Sequence, residues 1–283
     1  QYPINLLKMS KQKEHSKEEE NNHKFASAVP LWNLLDLDNN KNWMILLVFR
    51  LIQSIYCTKN LVHPDEYWQS IMPAYNIVYG GVVLPWEWND IYRLRNTVYP
   101  FYLAGPLYLL KMLNLDFATI VRVQPYLTHY PLVVLHDYFY WKVAKRVMGK
   151  DTARVAMLML VFSMYENLFL VRCFTNSLES IFTVVSFYYF IDQEKSFTKN
   201  TVIVTALITA SFMMRNTSPI GWIPLLAIKV LFHESFLAYL LAAVIIAVPI
   251  IGINILFDSL YFDPSLNTWT LTSYNFLQVN VVD

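Results

Sequence analysis

Charge is scarce in this sequence. Only 15% of its 283 residues are Asp, Glu, Lys or Arg, where a water-soluble domain carries about 25%. Mean hydropathy is +0.33. That excludes a chain surrounded by water on every side and points to broad contact with lipid. The net charge of +1 provides no basic field, so no nucleic-acid partner is expected. Cysteine occurs only at Cys57 and Cys173, which is neither a disulfide framework nor a metal-ligand spacing. The two are expected to be buried thiols. Six glycines form no phosphate-cradling loop, whether P-loop or GxGxxG, and the nucleophile elbow GxSxG and the zinc motif HExxH are also missing. No cofactor and no metal are expected.

Aromatics are abundant: 18 Phe, 19 Tyr and 8 Trp. Tyr and Trp combine an apolar ring with a polar edge, which suits membrane interfaces and sugar-facing clefts. The stretch Lys8–Lys24 is charged and almost free of apolar residues, too polar to offset the entropy of ordering it. Residues 1–42 are therefore expected to form a disordered tail, cytoplasmic by its lysines. The chain begins at Gln1 and stops at Asp283 after a polar stretch, and reads as a piece of a longer protein.

Residues 43–283 read as a multispan helical domain. A first apolar segment covers 43–57 and carries Arg50 and Gln53, polar groups that should face other helices or a cavity. Further apolar segments are expected at 97–113, 123–143, 155–171, 178–191, 201–214, 219–232 and 236–257. Pro125, Pro131, Pro219 and Pro224 suggest broken or re-entrant helices. Two polar, aromatic loops, 58–96 and 258–283, complete the domain. Simple alternation puts the basic patch Lys145, Arg146, Lys150 and Arg154 on the same side as the first loop, against the positive-inside rule. Either one segment re-enters or the segment count is off by one.

Four constellations could carry chemistry. His63-Pro64-Asp65-Glu66 sets two carboxylates just beyond the first segment, followed by Tyr67, Trp68 and Gln69. The pattern fits a general base, and fits equally an acidic helix start after proline. Trp86-Glu87-Trp88, followed by Arg93 and Arg95, suits a sugar and a phosphate, or an interfacial belt touching lipid headgroups. Arg172 and Glu179 bracket an Asn176-Ser177 break, either a charged site wall or an ordinary helix cap. Arg215-Asn216-Thr217-Ser218 contains a glycosylation sequon between two apolar segments.

In this order the motifs resemble the GT-C mannosyltransferases of glycosyltransferase family 22. His63–Ser70 matches the family's HPDE loop. Trp86-Glu87-Trp88, Arg95-Asn96 and Pro100 match its next motif. Arg172–Glu179 matches a third, with Cys173 where the family has Thr, and Arg215-Asn216-Thr217 stands for the family's Arg-Pro-Thr. The full Trp-Glu-Trp, and Trp269-Thr270-Leu271 before Tyr274-Asn275-Phe276-Leu277, are similar to the branch that adds the third mannose of the glycosylphosphatidylinositol (GPI) anchor, over the N-terminal half of such an enzyme.

The resemblance implies an all-α polytopic membrane protein, a GT-C transmembrane bundle whose lumenal loops carry short helices. It implies an endoplasmic-reticulum enzyme that transfers α-1,2-linked mannose from dolichyl-phosphate mannose to the GPI precursor glycolipid, with inversion and with the site facing the lumen. Asp65 would be the base, with Glu66 second. Arg95, Arg172 and Arg93 would hold the donor phosphate, and His63, Tyr67, Gln69, Trp86, Glu87 and Trp88 would hold sugars. The alternatives are a sister enzyme acting on dolichol-linked N-glycan precursors, or a lipid or sugar transporter.

Overall fold

Asn39 opens the first long helix: its backbone is extended, and its side chain accepts the Lys41 N–H at 3.0 Å, satisfying one of the donors that a helix start leaves unpaired. In a computed structural model, which describes residues 30–59, 62–191, 198–233 and 236–282, this helix is α1, Asn40–Cys57. A π-helical turn, Tyr67–Ile71, runs into α2, Met72–Tyr79, and a 3-10 turn forms at Trp86–Trp88. There follow α3 (Val98–Met112), α4 (Ala118–Met148), α5 (Lys150–Phe162), α6 (Thr175–Phe190), α7 (Lys199–Met214), α8 (Pro219–His233), α9 (Phe236–Phe262) and α10 (Thr272–Leu277). The described residues contain no strand, so the all-α expectation holds. Among them, α9 is the one helix long and apolar enough to cross a membrane by itself. Lys199–Met214 and Pro219–Leu231 are shorter apolar helices.

The apolar segments 43–57, 97–113, 178–191, 201–214 and 219–232 agree with helices to within three residues, while 123–143 and 236–257 fall inside longer helices, and the breaks fall elsewhere. α4 runs through both Pro125 and Pro131 without interruption for about 46 Å at 1.5 Å per residue. The real break comes after Phe162, where no proline stands and the segment 155–171 had read as one piece. There Ser163 is extended and a π turn, Glu166–Leu170, follows. Gly149, at φ +83°, makes the corner between α4 and α5, a left-handed backbone that glycine adopts without strain.

A buried ionic chain fixes that break. Arg50 of α1 donates to both carboxylate oxygens of Asp137 on α4, at 2.6 and 3.2 Å, with the pair 0% and 1% exposed. Its remaining arm reaches Gln53 at 2.9 Å and Asn167 at 3.0 Å. Asn167 in turn donates to the Val161 carbonyl at 2.5 Å. The polar residues of the first segment therefore face other helices, as their cost in lipid requires.

Residues 30–42, which the sequence places in a tail, are built into the bundle. The tail expectation for 1–29 lies outside the described residues. Asp36 meets Lys150 at 2.7 Å and Arg154 at 2.8 Å, and Asp38 meets Lys145 at 2.6 Å. Partial burial pulls the Asp36 carboxyl upward, but the bonds from Lys150 and Arg154 outweigh it and hold it below the usual range. Asp36-Leu37-Asp38 is the chain's one D-x-D spacing, and these cations occupy it.

The basic patch thus sits at the N-terminal end of α1, opposite the first loop. α3 does not traverse the bundle. It lies antiparallel along the first part of α4 only: Gln124 donates to the Leu103 carbonyl, and Tyr102 to the Thr128 carbonyl. Its two ends are tied to the first-loop end, through Thr97–Asp258 and Lys111–Val78 carbonyl bonds.

Candidate functional site

The site lies where the first loop meets the starts of α6 and α10 and the end of α7. Pro64 begins the local order: Tyr67 and Trp68 N–H groups both donate to its carbonyl at 3.0 Å. This winds residues 65–71 into a helical turn that sends the two adjacent carboxylates in different directions.

Glu66 points inward and is fully buried. Arg172 donates to its Oε2 at 2.7 Å, and the Cys173 N–H to its Oε1 at 3.2 Å. Burial pushes the Glu66 carboxyl up, outweighing the pull of Arg172. Asp65 points outward with its side chain 40% exposed. Its own N–H lies 3.3 Å from His63 Nδ1. The His63 ring stands edge-on to Phe174, 6.2 Å between centroids.

Asp65 borders two cavities. One, about 250 Å³, is lined by Arg95, Asn96, Arg215, Thr217, Thr272 and Phe276 among others. The second, about 270 Å³, is lined by Tyr165, Glu166, Phe169, Phe174 and Ser180 with His63. Asp65, Gln69 and Asn176 are the residues common to both. A third hollow of about 420 Å³ leads from Asn176 and Arg215 along α6 and α8 past Thr183, Phe187 and Leu225.

The first cavity is cationic at its face. Glu87 grips Arg95 with two bonds, 2.9 and 2.7 Å, and Glu179 grips Arg215 at 2.8 Å. Neither Glu lines that cavity. Glu87 thus takes the Nε and Nη2 fork of Arg95, while Arg215 spends Nη1 on Glu179 and Nε on Thr217 at 3.1 Å; Nη1 of Arg95 and Nη2 of Arg215 are the guanidinium nitrogens outside these bonds, on side chains oriented by their partners.

The structure brings together four of the residues singled out from sequence: His63, Asp65, Gln69 and Arg95. Arg172 is not brought to the cleft. It is 1% exposed and bonded to Glu66, so the charged break pairs across to the first loop instead of with Glu179. Arg93 is also elsewhere, bonding Thr268 and Thr270 at 3.0 Å and lying over the Phe262 ring. Trp88 is 5% exposed, with its indole N–H on the Trp68 carbonyl and its ring stacked on Phe262. Trp86 is exposed and packs on Tyr92. Tyr67, Trp86, Glu87 and Trp88 line neither cavity. The cap reading at 176–177 also fails. α6 starts at Thr175 without a side-chain cap, Ser177 bonds the Phe169 carbonyl, and Asn176 faces the cavities.

Sequence reasoning missed Arg215 and Glu166 as cleft residues, although Arg215 stood in a motif and Glu166 is a lone acid in an apolar stretch. It also missed Asp258, at the end of α9. That carboxylate accepts from the Thr97 N–H and hydroxyl at 2.9 and 2.7 Å, from Thr272 at 3.0 Å and from Asn96 at 3.3 Å. It ties both loops to α9. Asp258→Ala should cost about 3 kcal/mol, since it strands buried donors worth about 1–3 kcal/mol each. Thermal unfolding in detergent would read the loss, and an unchanged transition would show that Asp258 is not the tie.

Comparison with known proteins follows the same lines. The sequence profile of the Alg9-like mannosyltransferase family matches residues 42–283. The chain is 28% identical over 249 residues to "GPI alpha-1,2-mannosyltransferase 3" of Bos taurus, covering 87% of this chain and 44% of that protein. It is 30% identical over 237 residues to "GPI mannosyltransferase 3" of Yarrowia lipolytica, covering 83% and 46%. For the Homo sapiens protein the identity is 27% over 250 residues, covering 87% and 44%. The chain spans somewhat less than half the length of these curated relatives. No solved structure matches.

Proposed function

Because this chain belongs to the Alg9-like mannosyltransferase family, we propose that it carries the reaction centre of a GPI mannosyltransferase. In this reading it moves mannose from dolichyl-phosphate mannose to the GPI precursor as the third, α-1,2-linked residue. The names of its relatives support that acceptor. The protein is multi-pass in the endoplasmic-reticulum membrane, with the cleft toward the lumen and the basic patch 145–154 toward the cytoplasm. Exposed apolar side chains along α1 (Met44, Ile45, Val48, Ile52) and α9 (Leu237, Val244, Ile245, Val248) support a lipid-facing jacket.

The observation that carries the chemistry is Asp65's position between two cavities. Transfer needs a base on the acceptor hydroxyl, within reach of the donor's anomeric carbon. A carboxylate bordering both spaces meets that need. The donor is β-linked and the product α-linked, so one displacement inverts the centre. The attacking hydroxyl forms the new bond to C1, its proton goes to Asp65, and the C1–O bond to phosphate breaks. The departing group is already an anion, so it needs cations and not an acid. Arg95 and Arg215 supply them, in place of the Arg172 and Arg93 contacts read from the motifs. No metal is required in this scheme.

The test is an assay of the full-length enzyme with dolichyl-phosphate mannose and two acceptors, the GPI precursor and a dolichol-linked N-glycan precursor. The expected result is α-1,2-mannosylation of the GPI precursor at least about tenfold faster, the scale a hydrogen-bonding site readily gives. Preference for the N-glycan precursor would move the protein to the sister activity, and inactivity on both would sink the transferase reading.

A further inference from the structure

The two cavities that meet at Asp65 are opposite in character. Around the space that holds Arg95 and Arg215, the other polar groups are amides and hydroxyls, with Asp65 as the one carboxylate. Around the other, no Lys or Arg is among the lining residues, and Asp65 and Glu166 both face it. Its wall is a run of rings. Tyr165 and Phe169 lie 5.0 Å apart, Phe169 and Phe174 5.8 Å, and Phe174 and His63 6.2 Å. Two carboxylates repel a phosphate there. Carboxylate, amide and hydroxyl groups beside aromatic rings suit a ligand with many hydroxyls and apolar C–H faces, that is, a pyranose.

We infer that this aromatic cavity is the acceptor subsite, that it takes the terminal pyranose whose hydroxyl is to be glycosylated, and that Glu166 is its specificity-determining residue, accepting a hydroxyl of that ring. This rests on the transferase reading above and deepens it. Glu166 suits the role by its mounting. It opens the π turn that follows the break after α5, with its N–H on Ser163 Oγ at 3.3 Å. One residue on, Asn167 is held from inside by Arg50. The carboxylate is therefore presented on a segment whose backbone is clamped to the bundle core. Asp65 and Glu166 then act on one ring at two positions. Glu166 fixes its orientation, while Asp65 takes the proton of the reacting hydroxyl at the boundary with the donor cavity. The polarity also separates the substrates: the donor's phosphate is drawn to the guanidinium side and excluded from the acid side.

Steady-state kinetics of the full-length enzyme on both substrates tests this. Glu166→Gln is expected to raise the acceptor KM about tenfold or more, the loss of one charge-assisted hydrogen bond, with donor KM unchanged. Tyr165→Ala is a second variant that folding cannot obscure, because Tyr165 is 64% exposed. It should raise acceptor KM by about fivefold through loss of a ring face. Arg215→Ala should do the reverse and raise the donor KM. An active wild type whose Glu166 and Tyr165 variants shift donor KM, or neither KM, overturns the subsite while leaving the transferase reading intact. A wild type inactive with every acceptor is seen before any variant is made, and takes the subsite down with the transferase reading.

Discussion

Replacing Arg50 with alanine should cost the bundle about 3–5 kcal/mol, the usual penalty for leaving one member of a buried ion pair uncompensated. Arg50 is fully buried and is the chief partner of Asp137. His136 contributes one contact at 3.2 Å, which cannot replace two guanidinium donors. The loss should spread, because the same guanidinium holds Asn167 and so the break that carries Tyr165 and Glu166. A double substitution, Arg50→Met with Asp137→Leu, removes both charges together and should recover most of the stability, since well-packed apolar replacements of buried pairs are often neutral. It should not recover activity, because the anchor for Asn167 is still gone. Unfolding in detergent and turnover, measured on the single and double variants, separate the two effects. An Arg50→Ala protein as stable as the wild type would show that the pair is not what holds the helices.

Asp65→Asn should lower kcat by about 10²–10⁴-fold, the range for loss of a positioned general base, with little change in the KM of either substrate. The amide keeps the size and the hydrogen-bonding reach of the carboxylate but cannot accept the proton. Stability should stay within about 0.5 kcal/mol, because the Asp65 side chain is 40% exposed and supports no buried group. Glu66→Gln gives the contrast. It removes a charge from the buried partner of Arg172 and should be seen first in folding, with equal expression hard to reach. If Asp65→Asn retained activity within about threefold while Glu66→Gln folded normally and lost turnover, the roles of the two carboxylates would have to be exchanged.

Much of the helical layout was legible because apolar run length is read directly from sequence. The ends of α6, α7 and α8 agree with the apolar segments to within a few residues. Prolines misled, since they were read as breaks at Pro125 and Pro131, yet α4 continues through both. In a packed bundle, neighbouring groups and small local adjustments satisfy the carbonyls that a proline leaves free. The true break at Ser163 has no Pro or Gly to mark it. It is held by Asn167 and by Arg50, more than a hundred residues earlier, and such pairing is invisible to a reading that moves along the chain.

The site divides in the same way. His63, Asp65, Gln69 and Arg95 were legible as a motif near a membrane edge. Which of two adjacent carboxylates faces the cleft was decided by Arg172, a pairing 106 residues apart. Trp88 and Arg93 looked like ligand contacts because Trp and Arg favour both sugar sites and interfaces. Their actual partners, Phe262, Thr268 and Thr270, lie in the second loop, and only the folded chain brings them near.

The contacts between the two loops have a bearing on synthesis. Arg93 reaches Thr268 and Thr270, Thr97 reaches Asp258, and Asn275 reaches back to the Arg93 carbonyl. All of these pairs are more than 160 residues apart. At about 5–20 residues per second, the first loop leaves the ribosome roughly ten to thirty seconds before its partner exists. During that interval the Thr97 N–H and the Arg93 Nη1 group lack their native acceptors, so the first loop cannot close into the cleft until α9 and the second loop have been made. A nascent chain stalled before Asp258 would leave the loop bearing Asp65 without its ties to the second loop, and that is the stage at which a chaperone would find the most to bind.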